Sequence, residues 1–588
     1  MNKQKEIQLK QKVMLLARQK KYKQACKIAI KLSQELPNDI EVWWAVAQLQ
    51  IKLGEYENAV KSFYKVCQKP SPYYVEAIEI AVEICIDHEF WQLGLAPAKE
   101  LVKINPKSAS AHYRHGVCWF YLNHYFSAKE SFLKCIELQP NETEYLNKCG
   151  LIYNYIGEPE TALKYFQRSE TADRKDIKSK VYTSWAMNYI DNIPEVTLFE
   201  AHKKLAACYE KKLKNSSWLP DINDGQKLRI GFYSQDFYRH SVAYFLLPIV
   251  RCYNKERWEI YCYSDVKRED AVTEEIRNLT DNWRICKEMT DAELIKCIRA
   301  DQVDIIIDLA GLTGDNRLGA FAERCAPVQA TYLGYPNTTG ITCMDYRLTD
   351  ECTDPSGKTD QFHSETLIRL PKGFLCFEPD EAAPPIIELP TKDNAITFGS
   401  FNVFQKISER NIKLWSRILS ALPDSKLLIK SKPLHDEKLQ EHVWKKFEDQ
   451  GISRDRITLV GLTADRIEHL NMLAKVAIHL DTFPYNGTTT TCEALWQGVP
   501  TVTLAGENHR SRVGMSIMHQ MGLDDWVAHC DEEYFSIAIS KANDIASLRR
   551  LRTSMRKTMQ TSALMDAKGF IKQLENTFDR MQEITRSP

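Results

Sequence analysis

The sequence predicts an α-helical solenoid followed by two doubly wound α/β halves, and three observations carry that prediction. Tyr22, Tyr56 and Phe90 recur at a spacing of 34, and Tyr125 and Pro159 continue one residue out of phase. From residue 227, short β-rich runs alternate with helical ones in two blocks. Near residue 480 an apolar run ends in Asp481, turns through Pro484-Tyr485-Asn486-Gly487 and enters a helical pattern through four threonines, Thr488 to Thr491.

The repeats come first along the chain. Ala25, Ala59, Ala128 and Ala162 stand three residues after each marker, with Leu93 in that slot of the third copy. Pro37, Pro70, Pro106 and Pro140 end successive copies, and Gly54, Gly116, Gly150 and Gly157 sit where paired helices approach. The fullest copy, Val42 to Pro70, reads VWWAVAQLQIKLGEYENAVKSFYKVCQKP. It resembles the tetratricopeptide repeat, with about five copies between residues 8 and 172. A small residue lets two helices pack closely, and a proline stops the second. One repeat cannot bury its outer faces, so the copies stack into a solenoid with a groove. That groove is expected to bind protein or peptide segments; a spacer or dimerising arm is the plainer alternative. Residues 173–225 read as capping helices and a linker, with the boundary at Asn215-Ser216-Ser217-Trp218-Leu219-Pro220.

Composition narrows the function. Lys plus Arg and Asp plus Glu both number 78, so the formal charge is zero and no basic surface for nucleic acid is expected. Seventeen cysteines are scattered without CxxC pairs or zinc spacing, which suits buried thiols in a reducing compartment. No signal-peptide pattern or membrane-spanning run stands out, so a cytoplasmic protein is expected.

The α/β part divides at a proline-rich acidic stretch, residues 377–394, giving expected domains at 226–385 and 386–588. Strands are predicted at 228–233, 258–263, 303–308, 328–332 and 366–370, then at 395–401, 426–430, 456–460, 476–480 and 501–504. Strand–helix alternation predicts parallel sheets, whose ligands bind beyond the carboxyl ends of the strands. The polar motifs fall there: Ser234-Gln235-Asp236, Ala310 to Thr313, Asn402 to Lys406, and the threonines. Two such sheets around one cleft are the architecture of the GT-B glycosyltransferases. The last helix, about Ala567 to Ile584, is expected to pack back across the first half.

Within this frame the residues suggest chemistry. The threonines crowd the first turn of a helix, whose unpaired N–H groups and dipole attract anions, so a nucleotide diphosphate is expected there. The alternative is that they simply cap the helix. Lys406, opposite them, is placed to neutralise the diphosphate as it departs; a solvated surface lysine is the alternative. His240, at a helix start, is a candidate to accept a proton or a hydrogen bond. Asp304 and Asp308 lie on one buried run and either line the cleft or orient loops; Gly311 permits a tight turn or close ligand approach. Asn337, in the loop Leu333 to Gly340, sits beside a sugar or peptide or in a structural turn, and Asn402 ends a strand on the cleft side. His469 is a candidate for the base, and Glu493 for the ribose hydroxyls, unless it is an ordinary first-turn acid.

The segments GFYSQDFYRHSVAYFL, DIIIDLAGLTGDNRLGAFAERCAPVQATYLGYPNTTGITCMDYRLTD, FGSFNVFQK and LDTFPYNGTTTTCEALWQGVPTVTLAG together resemble the O-GlcNAc transferase family, glycosyltransferase family 41. The repeats in front complete that family's order: a tetratricopeptide α-solenoid, then an α/β GT-B fold of two Rossmann-like domains. The resemblance implies inverting transfer of GlcNAc from UDP-GlcNAc to Ser or Thr hydroxyls of proteins, with a nucleotide sugar as co-substrate and no metal or other cofactor. It implies that His240 is the essential histidine beside the acceptor and Lys406 the diphosphate lysine. His469 becomes the donor-site histidine, Thr489 and Thr490 the phosphate-binding threonines, and Glu493 the acid on the ribose. It leaves open which group takes the acceptor proton. Animal members carry a histidine at Thr488, a histidine at Asp304 and a glutamine at Val403. TTTTCE with GYPNTTG resembles bacterial and Spindly-like members, and Spindly implies GDP-fucose as the alternative donor. Transfer to Asn and a non-catalytic repeat scaffold are the remaining alternatives.

Overall fold

The computed structural model describes residues 3–210, 227–389 and 395–586. The expected boundary at 215–220 and part of the 377–394 stretch lie outside them. The described residues fall into two compact units: one runs to Ile156 and takes in Thr171–Arg174, and the other holds Gly157–Glu170 and the chain from Lys175 onward.

The repeats fold as helices α1 (Lys3–Arg18), α2 (Tyr22–Glu35), α3 (Ile40–Lys52), α4 (Tyr56–Val66), α5 (Tyr74–Asp87), α6 (Trp91–Ile104), α7 (Ala109–Tyr121), α8 (Tyr125–Leu138), α9 (Thr143–Tyr155) and α10 (Pro159–Ala172). The recurring marker residues open the even-numbered helices, and the recurring prolines follow the ends of α2, α4, α6 and α8. Ala25, Ala59 and Ala128 are fully buried. The third copy runs one residue late: α6 starts at Trp91, and Gly94 rather than Leu93 takes the tight slot. A Cβ on Gly94 would stand 2.9 Å from the Cys118 sulfur. Each odd helix ends in a left-handed residue, Lys20, Gly54, Glu89, Asn123 and Gly157 (φ 58°, 75°, 59°, 65° and 78°), which turns the chain into the next helix. Asp39 and Ser108 cap α3 and α7 by accepting the Val42 and Ala111 N–H groups.

The second unit takes in most of α10 and continues with α11 (Ile177–Ala186) and α12 (Glu195–Glu210). These helices, read from the sequence as a cap on the array, contribute Leu205 and Ala206 to the core of the first α/β half. That half holds strands β1 (Leu228–Ser234), β2 (Trp258–Ser264), β3 (Asn282–Ile285), β4 (Ile305–Asp308), β5 (Val328–Thr331), β6 (Tyr346–Thr349) and β7 (Thr366–Arg369), with α13 (Ala243–Cys252) after β1. The other half holds β8 (Thr397–Ser400), β9 (Lys426–Lys430), β10 (Ile457–Val460), β11 (Ile478–Leu480), β12 (Thr501–Leu504) and β13 (Val527–Ala528). Both sheets are parallel, ordered 3-2-1-4-5-6-7 and 10-9-8-11-12-13. The chain reverses beside β1 and β8, where such sheets open a crevice. Strands β3, β6 and β13 had no forecast. Asn282–Ile285 is an edge strand without an apolar run, Tyr346–Thr349 carries a buried arginine, and Val527–Ala528 is only two residues long.

The closing helix, Ala567–Arg586, packs on the first half, as expected from its place in the chain. Phe578 lies 5.2 Å from the Trp258 ring, and Arg257 pairs with Asp579 at 2.8 Å and Glu575 at 3.0 Å. Among the described residues no helix is long and apolar enough to cross a membrane.

Candidate functional site

A cleft opens between the carboxyl ends of the two sheets. The first half lines it with His240, Ser241, Val242, Phe245, Leu333, Gly334, Pro336, Phe374 and Leu375. The other half adds Asn402, Val403, Lys406, Tyr485, Thr488, Thr489, Thr490, His509 and Val513.

The cradle on the second half is built by Asp481, which β11 delivers fully buried. One carboxylate oxygen accepts the Gly487 N–H at 2.7 Å, the Thr482 N–H at 2.9 Å and the Asn402 amide at 3.3 Å; the other accepts the Thr503 hydroxyl at 2.7 Å. Asn402 in turn accepts the Thr490 hydroxyl at 2.8 Å. A strand-end acid thus fixes the turn, and through Asn402 the threonine helix, Thr489–Trp496. The Thr488 side chain makes no cap bond to this helix, which leaves first-turn N–H groups for a ligand in the cleft. A Cβ on Gly487 would lie 2.5 Å from the Thr490 hydroxyl, so only glycine lets the turn close this tightly. Lys406, in the short turn after β8, donates from Nζ to the Asn486 carbonyl at 2.8 Å and lies 3.7 Å over the Tyr485 ring. Burial pulls its ammonium below the usual lysine range, and Asp481 opposes that pull. Burial also raises the Asp481 carboxyl, against its N–H and hydroxyl donors and Lys406.

His240 reaches the cleft from the loop before α13, and its carbonyl accepts the Ala243 N–H at 3.1 Å. Its Nδ1 lies 3.4 Å from the Val242 N–H and 3.6 Å from Asp236, with the ring 38% exposed. Burial raises the Asp236 carboxyl, and His240 opposes the shift.

His469 and Glu493 stand together behind this cradle, outside the cleft lining. Glu493 accepts from Arg466 at 2.5 Å and lies 3.3 Å from His469 Nε2, while the His469 ring meets Phe401 edge-on. Burial would raise the Glu493 carboxyl, but His469 and Arg466 outweigh it and hold the acid ionised.

Four further candidates also lie outside the cleft lining. Asp304 precedes β4, at the opposite end of the sheet, and accepts the Arg229 N–H at 2.8 Å; the apolar run carries it away from the cleft. Asp308 does end β4, but it accepts the Ala310 and Gly311 N–H groups at 3.0 and 2.9 Å and so holds a turn. Burial pushes its carboxyl up to about 6. Gly311 makes room for protein: at φ 57° its Cβ would lie 2.4 Å from that of Tyr335. Asn337 is buried beside a smaller cavity with Glu195, His363 and His509. Sequence reasoning missed Arg466, Tyr485 and His509. Tyr485 could have been found, since it sits inside the threonine motif.

Comparison with known proteins bears on the same regions. The family described as Glycosyl transferase family 41 matches residues 201–383 and 386–574, and the tetratricopeptide repeat matches 40–68 and 109–142. The probable UDP-N-acetylglucosamine–peptide N-acetylglucosaminyltransferase SPINDLY of Petunia hybrida is 39% identical over 402 residues, 67% of this chain and 43% of that protein. The corresponding SEC protein of Arabidopsis thaliana is 28% identical over 62% of this chain and 38% of its own length. The match therefore spans less than half the length of these curated relatives. A Thermobaculum terrenum O-GlcNAc transferase mutant of known structure superposes with a TM-score of 0.81 at 29% identity, over 88% of this chain and 99% of that one. Nothing in these matches assigns the chain to a bacterial branch.

Proposed function

This chain belongs to glycosyl transferase family 41, and from that premise we propose that it transfers GlcNAc from UDP-GlcNAc to Ser or Thr hydroxyls of proteins, with inversion. One observation carries the reading: a single cleft lined by His240 from one half and by Lys406 and Thr488 to Thr490 from the other. The acceptor hydroxyl attacks the anomeric carbon as the sugar–phosphate bond breaks, and the diphosphate leaves with the bonding electrons. Lys406 and the N–H groups of the threonine helix meet charge that grows as the bond breaks, so they favour the transition state over the bound donor. His240 is within the same cleft to orient or deprotonate the acceptor. Glu493, ionised and fixed by Arg466 and His469, is the group for the ribose. Because a cation and a helix start already oppose the diphosphate, transfer is expected to need no metal, and a chelator should leave the rate unchanged.

The repeat unit is the proposed binding surface for protein acceptors. The cysteines, all free, suit a reducing, cytoplasmic setting. GDP-fucose is the second reading, favoured by Thr488, a neutral hydroxyl in the cleft where animal members carry a histidine. One experiment tests both: incubate the protein with each nucleotide sugar and an acceptor lysate, then map modified residues by mass. HexNAc on Ser or Thr supports the proposal; deoxyhexose from GDP-fucose, or modified Asn, overturns it.

A further inference from the structure

We propose that His509 is a positioning residue for the acceptor wall of the cleft: it ties the second half to Arg347 and, through Arg347, fixes the loop of residues 333–337. The inference rests on the transferase reading above, because it concerns where the acceptor lies.

His509 follows β12 and is 5% exposed. Its Nδ1 lies 2.6 Å from an Asp354 oxygen and its Nε2 lies 3.3 Å from the Arg347 guanidinium. A guanidinium only donates, so Nε2 accepts and the ring proton sits on Nδ1, donated to Asp354. Both neighbours therefore demand one neutral tautomer. Burial favours that neutral form, against Asp354. The titratable groups around the ring are Arg347, Asp354, His363 and Glu195.

Arg347 carries the link onward. It sits in β6, 2% exposed, and donates to the Asn337 carbonyl at 2.7 Å and the Tyr335 carbonyl at 2.8 Å. Those carbonyls belong to the loop whose Leu333, Gly334 and Pro336 line the cleft. The loop needs holding, because Leu333 has a left-handed backbone at φ 66°, which a branched side chain disfavours. It has no slack at Gly334 either, where a Cβ would fall 2.0 Å from the Leu309 carbonyl oxygen. The donor-side half thus sets the acceptor wall through one histidine and one arginine.

The test uses the full chain and steady-state kinetics with donor and acceptor varied separately. His509→Asn keeps a donor for Asp354 but removes the acceptor for Arg347; His509→Gln restores an acceptor at the longer reach. The acceptor KM of His509→Asn should rise about tenfold more than its donor KM, the loss of one charge-assisted hydrogen bond, and His509→Gln should recover most of it. Arg347→Lys breaks the same link from the other end and should give the same split if His509→Asn folds poorly. Equal changes in both KM values, an unchanged acceptor KM, or no recovery in His509→Gln overturns the inference. A wild-type protein that transfers no sugar sinks the transferase reading itself, whereas an active wild type with an unaffected His509→Asn sinks only this inference.

Discussion

Lys406 keeps its charge where burial makes charge costly, and that sets its behaviour with ligand. A bound diphosphate favours the ammonium, so the free site should bind fully while Lys406 is protonated and lose affinity as it deprotonates. Its value in the free protein lies below the ordinary lysine range, held down by burial. Nucleotide Kd, read by calorimetry, should therefore rise from neutral pH toward about pH 10, by up to about tenfold per unit; a flat profile would place the charge elsewhere. Lys406→Ala should cut kcat by about 10²- to 10³-fold, the size of losing one preorganised oxyanion partner, with an unchanged far-UV spectrum. Gly487→Ala should weaken nucleotide binding about tenfold, because its methyl would press on the Thr490 hydroxyl and Asn402 at 2.5 and 2.8 Å. An unaltered Kd would show that the cradle can relax.

Among the elements, the closing helix makes the clearest demand. Phe578 is fully buried against Trp258 on β2, so Phe578→Ala should cost about 3–5 kcal/mol, seen as an earlier thermal transition. The same scale shows what the chain disclosed in advance. The repeats were legible because the helix pairs reuse one solution, an aromatic entry (Pro159 in the fifth) and a small residue one turn on. The third copy deviates because Gly94, one position later, does the work of alanine. Of the left-handed turn residues only Gly54 and Gly157 signal themselves; Lys20, Glu89 and Asn123 are held there by the packing of the helices they join. Strand β6 escaped notice for a similar reason: Arg347 interrupts its apolar pattern, and its burial makes sense only with Tyr335, Asn337 and His509 in place.

For the second unit as a whole, the halves are separate sheets but not separate folding partners. The chain leaves the second half for its last helix, which packs on α13 and β5 of the first. Asp350 accepts the Ser516 hydroxyl at 2.5 Å and the Cys352 carbonyl accepts from Arg512 at 2.7 Å, joining the halves elsewhere too. Calorimetry of the whole protein should therefore show the two sheets melting in one transition, and Phe578→Ala should begin to split it. Distance in sequence also decided which parts of the site were readable. Lys406 and the threonines belong to local strand–turn–helix patterns, and so announced themselves. The Arg347–His509 link joins residues 162 apart, and no periodicity marks such a pair.

Asp481 has one more consequence, for the end of the reaction cycle. In the ligand-free protein Lys406 has an acidic neighbour, because the buried Asp481 opposes the burial that pulls its ammonium down. On the proposed transferase reading, the product diphosphate shares that cation with a resident carboxylate. On the same reading, a grip shared in this way would draw off the leaving group and yield once the bond is broken.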